Sequence, residues 1–110
     1  MTEPASNALA QALARLWVQH LPEIQSRVTV LESTAMALSP ASNVDTLLLD
    51  ATSAAHKLAG VLGTFGLPQA TELAREAEML CAAPLVDPVA LGNRLGEIAS
   101  QLRALIATKQ

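Results

Sequence analysis

Apolar residues recur along this chain at three- and four-residue spacing in five stretches, each bounded by proline, glycine or small polar residues. That pattern predicts amphipathic α-helices. In the first, over about 6–20, Leu9, Ala12, Leu13, Leu16 and Trp17 share one side, and Ser6 or Asn7 can cap its start. Leu21-Pro22 interrupts the run, because a proline disfavours helical backbone at the residue before it and suits the first turn of a new helix. The second helix then spans about 22–38, with Ile24, Val28, Leu31, Ala35 and Leu38 at four-three-four-three spacing. Ser39-Pro40-Ala41-Ser42-Asn43 breaks the pattern, and Ser42 followed by Asp45 resembles a capping box with a shortened acid. The third helix covers about 43–65, with Gly66 placed as its left-handed terminator. The fourth, 68–82, opens on Pro68 and carries Ala70, Leu73, Ala74, Ala77 and Cys81 on one face, and Ala82-Ala83-Pro84 ends it. Asp87-Pro88 is a cap followed by a first-turn proline, and it starts a fifth helix over 88–108 with a seam of Leu91, Leu95, Ile98, Leu102 and Leu105.

Short connections between the last four segments force antiparallel neighbours. The expected architecture is all-α: an antiparallel up-and-down four-helix bundle with an additional N-terminal helix packed at one end. A length of 110 residues fits a single domain over 1–110, and no repeat or linker divides it. Composition agrees, since Ala and Leu dominate and Trp17 and Phe65 are the only aromatic residues.

The third helix holds the one stretch with chemistry. At about 100° per residue, Leu47, Ala51, Ala54, Leu58, Val61, Leu62 and Phe65 gather on one side. His56 lies almost opposite, with Leu49, Thr52, Ser53, Gly60 and Gly63 around it. Each interior helix glycine costs roughly 1 kcal/mol relative to alanine, so two of them on the histidine's face call for a reason. One reason is a smooth surface on which another protein docks beside the imidazole; another is close approach of a neighbouring helix. His20 reads as structural, a partly cationic ring suited to the last turn of the first helix. Cys81 reads as a small buried hydrophobe, and Lys57, Arg75 and the acidic residues of the fourth helix as a solvated face.

Charge and motif content narrow the function further. Net charge is −3 and the seven basic residues are scattered, so no basic stripe or aromatic platform serves nucleic acid. No apolar run is long enough to cross a membrane. The lack of a charged leader and the single cysteine point to a cytoplasmic, reducing setting. Neither histidine has Cys, Asp or Glu at a metal-ligand spacing, so no metal site is expected. No glycine-rich loop follows a strand to hold a nucleotide.

The residues Ala55-His56-Lys57-Leu58-x-Gly60-x-x-Gly63-x-x-Gly66-Leu67, with Leu73 and the fourth-helix pattern beyond, resemble the histidine-containing phosphotransfer domains of two-component phosphorelays. The resemblance implies that His56 is the phosphoacceptor, through a ring nitrogen and Nε2 foremost. It implies docking of a receiver domain on the surrounding Thr52, Ser53, Lys57, Ala59, Gly60 and Gly63. The partners implied are response-regulator receiver domains, a hybrid sensor kinase among them, with no nucleic acid and no membrane. The domain is expected as a monomer or as part of a larger multidomain protein. It binds no cofactor in this reading, because the receiver brings both the aspartate and Mg²⁺; no ATP-dependent kinase activity is expected. One departure stands out: many family members carry lysine three residues after the histidine, where this chain has Ala59. Two rival readings remain at this stage. One is a non-catalytic helical interaction or dimerisation module, which would show a large exposed apolar patch; the other is an enzyme or cofactor-binding bundle, which would show a pocket with polar groups converging on the ring.

Overall fold

Four helices account for nearly all of the described backbone: α1 (Pro4–Ala37), α2 (Asp45–Thr64), α3 (Pro68–Ala82) and α4 (Pro88–Thr108). The structure, a computed structural model, describes residues 4–38 and 44–109, and side chains from residue 7 onward in α1. Around the bundle α1 packs on α2 and α4, and α3 packs on the same two helices, while the diagonal pairs make no close backbone approach. This is an all-α antiparallel bundle. Its interior is aliphatic, with Ile24, Val28 and Leu31 of α1, Leu58 and Leu62 of α2, and Leu95, Ile98 and Leu102 of α4 fully buried. Alanines 70, 74 and 77 bring α3 close.

The first two predicted helices are one. Pro22 lies inside α1, and no break occurs at Leu21-Pro22. An interior proline costs about 3 kcal/mol through its missing N–H and its clash with the preceding turn. Packing outweighs that cost. Trp17, Leu21, Ile24, Val28, Leu31, Ala35 and Leu38 form a single four-three-four-three seam that runs through Pro22 in phase. Burying a large apolar side chain is worth about 1.5–3 kcal/mol, and both Trp17 and Ile24 are buried on the same face; a break between them would forfeit at least one. Pro22 itself is on the exposed side, and Val18, whose carbonyl loses its helical partner, is exposed to water.

Continuity changes the N-terminal half from a packed fifth helix into an overhang. Trp17 meets Phe65, just past the end of α2, edge to face at 5.3 Å, and Lys109, at the end of α4, places Nζ 5.6 Å from the Trp17 ring. The bundle therefore ends at Trp17. The preceding helical residues extend about 1.5 Å each, and Leu9, Leu13 and Leu16 on that extension are exposed. The molecule is accordingly 59 Å long and only 20 Å by 19 Å across.

The helix ends follow local chemistry. Gly66, at φ 74°, is the left-handed residue after α2; Leu67 N–H donates to Leu62 O and Gly66 N–H to Gly63 O, a Schellman closure. Asp87 caps α4, its Oδ1 accepting from Val89 N and Ala90 N at 3.1 Å. At the start of α2, however, Val44 occupies the capping position without a side-chain hydrogen bond. The Ser42 half of the expected capping box and the 39–43 breaker lie outside the described residues. Helix α1 already begins at Pro4, so Ser6 and Asn7 fall within it rather than before it. In α4 the buried residue of the last turn is Ile106 while Leu105 is half-buried, as expected when 3.6 residues per turn drifts against a strict heptad.

Two bidentate ion pairs tie α4 to its neighbours. Arg94 holds Glu76 of α3 at 2.6 and 2.7 Å, and Arg103 holds Glu32 of α1 at 2.7 Å through both oxygens. The guanidinium hydrogen bonds keep both carboxyls below the usual glutamate range. At Gly92 α4 approaches α1 closely: a Cβ there would stand 3.0 Å from the Ala35 carbonyl oxygen.

Candidate functional site

Helix α2 is buried along Leu48, Ala51, Ala54, Ala55, Leu58, Ala59 and Leu62. That stripe is turned from the predicted one toward Ala55 and Ala59, because α3 covers that side and its alanines allow a close approach. His56 sits on the edge of the covered zone. Its side chain is 74% exposed, and Nδ1 lies 2.8 Å from Oε2 of Glu78 on α3. A carboxylate only accepts hydrogen bonds, so Nδ1 carries the proton and donates it to Glu78. In the neutral ring this leaves the Nε2 lone pair without a hydrogen bond among the described residues.

The helix pair fixes this contact. A Cβ on Gly63 would be 3.8 Å from the Thr71 hydroxyl; moving seven residues forward on α2 from His56 to Gly63 is moving seven back on α3 from Glu78 to Thr71. One antiparallel register therefore holds over two turns. Along α3, Thr71, Arg75, Glu78 and Ala82 line the outer edge of the α2/α3 groove at helical spacing. The groove deepens on both sides of the His56–Glu78 bridge. Toward one end Leu48, Leu49, Thr52, Cys81 and Leu85 line a depression; toward the other, Gly63, Gly66, Thr71 and Arg75 line a second.

The residues expected around His56 divide into two groups. Ser53, Lys57, Gly60 and Gly63 are exposed, and Thr52 is half-buried with its hydroxyl donating to Leu48 O at 2.7 Å. A Cβ at Gly60 would meet nothing within 4 Å, and at Gly63 only ordinary contact. Close helix approach therefore does not account for Gly60 or Gly63. Ala59 is the exception and a correction to the expected docking set: it is 7% exposed, covered by α3, and offers no surface to a partner.

Glu78 was not among the residues the sequence singled out. Helix-surface periodicity alone places it with Arg75 and Glu76 among solvated residues, and only the register of α3 against α2 brings it to His56. Glu76 likewise leaves the solvated set, through its pairing with Arg94. His20 also differs from expectation. With α1 continuous it is not at a helix end, so the dipole argument does not apply; its ring lies 6.0 Å from that of Phe65 and 4.0 Å from Glu23. Cys81 is buried as expected, and burial pushes its thiol up to about 11. Among the described residues, no group of three or more His, Cys, Asp or Glu could hold a metal ion, and no helix is long and apolar enough to cross a membrane.

His56 is thus an exposed imidazole in the middle of a bundle helix, held through one nitrogen and open at the other. Residues 8–108 match the Hpt domain family, and the chain belongs to it. At the family level this means histidine phosphotransfer within phosphorelays and interaction with receiver domains. Comparison with curated proteins and with solved structures gave no match.

Proposed function

We propose that His56 is the phosphoacceptor of this domain, taking a phosphoryl group from the aspartyl phosphate of one receiver domain and passing it to another. The observation that carries the reading is the His56–Glu78 hydrogen bond at Nδ1, which leaves Nε2 as the exposed nucleophile. In the transfer, the Nε2 lone pair forms a bond to phosphorus as the bond from phosphorus to the aspartyl oxygen breaks. The aspartate leaves as a carboxylate, and the ring, still protonated at Nδ1, becomes cationic beside the Glu78 carboxylate. No general base is needed, because no proton leaves the nucleophilic nitrogen. Phosphoryl transfer depends chiefly on positioning and on neutralising oxygen charge; in this reading Mg²⁺ on the receiver supplies most of that neutralisation.

The surface around the ring suits a docking partner. Gly60 and Gly63 keep one side flat, and Leu49 and Met79 expose large apolar side chains on α2 and α3. A ring three-quarters exposed is not enclosed by converging polar groups, which disfavours the pocket-enzyme reading. The test is incubation with phosphorylated receivers. Wild type should acquire an acid-labile, alkali-stable label, and His56→Gln should lose it while remaining folded. Undiminished labelling of His56→Gln would overturn the assignment.

A further inference from the structure

We infer that Arg75, on α3, is the cation that neutralises a phosphoryl group carried by His56; the inference rests on the proposed role of His56. The transferred group carries negative charge on oxygens that a nearby cation stabilises, and Ala59 offers none on α2 itself.

Most cations of the chain are already engaged. Arg27 holds Glu23, Arg94 holds Glu76 and Glu97, Arg103 holds Glu32, and Lys109 lies over Trp17. Among the described residues Arg75 makes no ion pair or hydrogen bond, and it is exposed. Its place follows from the α2/α3 register set by His56–Glu78 and Gly63–Thr71. Three residues forward from His56 is Ala59, and three back from Glu78 is Arg75, so the two stand opposite each other. Arg75 is thus one turn from Glu78, about 4.5 Å along the helix axis and on the same outer edge.

The ground between Arg75 and the imidazole is clear. Ala59 is small and buried, and Gly63, without a side chain, lines the same depression as Arg75. From that depression a long, flexible guanidinium can swing past Ala59 and Gly63 to phosphoryl oxygens on Nε2, where its planar fork of donors suits two of them. Lys57 is placed differently. It is about 100° round α2 from His56, on the side away from α3, because the α3-facing residues Ala59 and Gly63 lie on the other side of the histidine. Gly63 then serves two purposes, a flat surface for the partner and a path for Arg75, while Gly60, on the Lys57 side of the histidine, serves the first.

Phosphoramidate tests the inference without a receiver. Its P–N bond breaks as Nε2 forms a new bond to phosphorus, ammonia leaves, and the ring keeps its Nδ1 proton beside Glu78. The loaded protein is followed by phosphorus NMR as a function of pH, and its transfer to an unphosphorylated receiver is timed. Contact with Arg75 favours the more charged phosphoryl form, so Arg75→Gln should raise the group's titration midpoint by roughly half a pH unit and slow transfer about three- to fivefold, the size exposed charge pairs reach. Arg75→Lys should recover part of both effects, and Lys57→Gln should change neither midpoint nor rate by more than about a tenth of these amounts. An unchanged midpoint in Arg75→Gln overturns the inference even if transfer slows, since Arg75 would then be touching the receiver and not the phosphoryl group. A midpoint moved by Lys57→Gln instead assigns the role to Lys57. Loading that survives His56→Gln defeats the reading of His56, and with it this one.

Discussion

Replacing Glu78 isolates what the bridge across the α2/α3 groove does for His56. In Glu78→Ala the Nδ1–H loses the oxygen 2.8 Å away, and two consequences follow. The neutral ring can place its proton on either nitrogen, so a fraction of molecules presents a protonated, non-nucleophilic Nε2. A solvent-exposed hydrogen bond of this kind is worth about 0.5–1.5 kcal/mol. The cationic ring formed on phosphorylation also loses its counter-charge. At 74% exposure water screens that pair, and two unit charges about 4 Å apart in water interact by about 1 kcal/mol. Together the losses are about 1.5–2.5 kcal/mol, which slows transfer roughly ten- to sixtyfold at 1.4 kcal/mol per decade. Glu78→Gln keeps an acceptor oxygen without the charge and should fall between wild type and Glu78→Ala. The assay is single-turnover transfer from a phosphorylated receiver under rapid quench, with the thermal midpoint measured beside it. Glu78 is part-exposed, so stability should stay within about 0.5 kcal/mol of wild type. A Glu78→Ala rate within twofold of wild type at unchanged stability would refute the tautomer argument.

Three further perturbations test the frame that holds the site. Pro22→Ala restores an N–H to the interior of α1 and should raise stability by up to about 3 kcal/mol; a neutral result in chemical denaturation would mean that the helix ends at Leu21. The glycines should respond oppositely to alanine. Gly60→Ala enters open space and gains up to about 1 kcal/mol of helix propensity. Gly92→Ala drives a methyl to 3.0 Å from the Ala35 carbonyl and should lose about 1–3 kcal/mol through overpacking; equal thermal shifts would show that the α1/α4 approach is looser than described. Acid should weaken the bundle. Glu32 and Glu76 have folded pKa values below the ordinary 4.5 because arginines hydrogen-bond their charged forms. Their contribution is therefore full above about pH 4.5 and is lost as pH falls through the lowered values. Thermal midpoints between pH 6 and pH 3 should fall less steeply in an Arg94→Gln, Arg103→Gln double variant, and an unchanged slope would mean that these pairs do not carry the acid sensitivity.

The amino-acid sequence by itself determined the class of fold, the position of the histidine and most helix ends, because each depends on short-range rules. Four-three spacing marks the buried seams of α2, α3 and α4; Gly66 and Asp87-Pro88 act through hydrogen bonds within a few residues of themselves; and the wheel that places His56 outside needs only one helix. Local rules misjudged Pro22. Its penalty is local, but the burial of Trp17 and Ile24 that outweighs it comes from α2 and α4, and the seam running in phase through Leu21 was the only trace of it along the chain. The partners of His56 were decided by tertiary structure alone. Glu78 is 22 residues away, on another helix, and Arg75 stands opposite Ala59 only because small residues on α3 let it lie close against α2 in one register. A helix's own period gives the direction of its side chains, and only the packing of two helices gives the sliding offset between them; in this protein that offset sets which nitrogen of His56 is free.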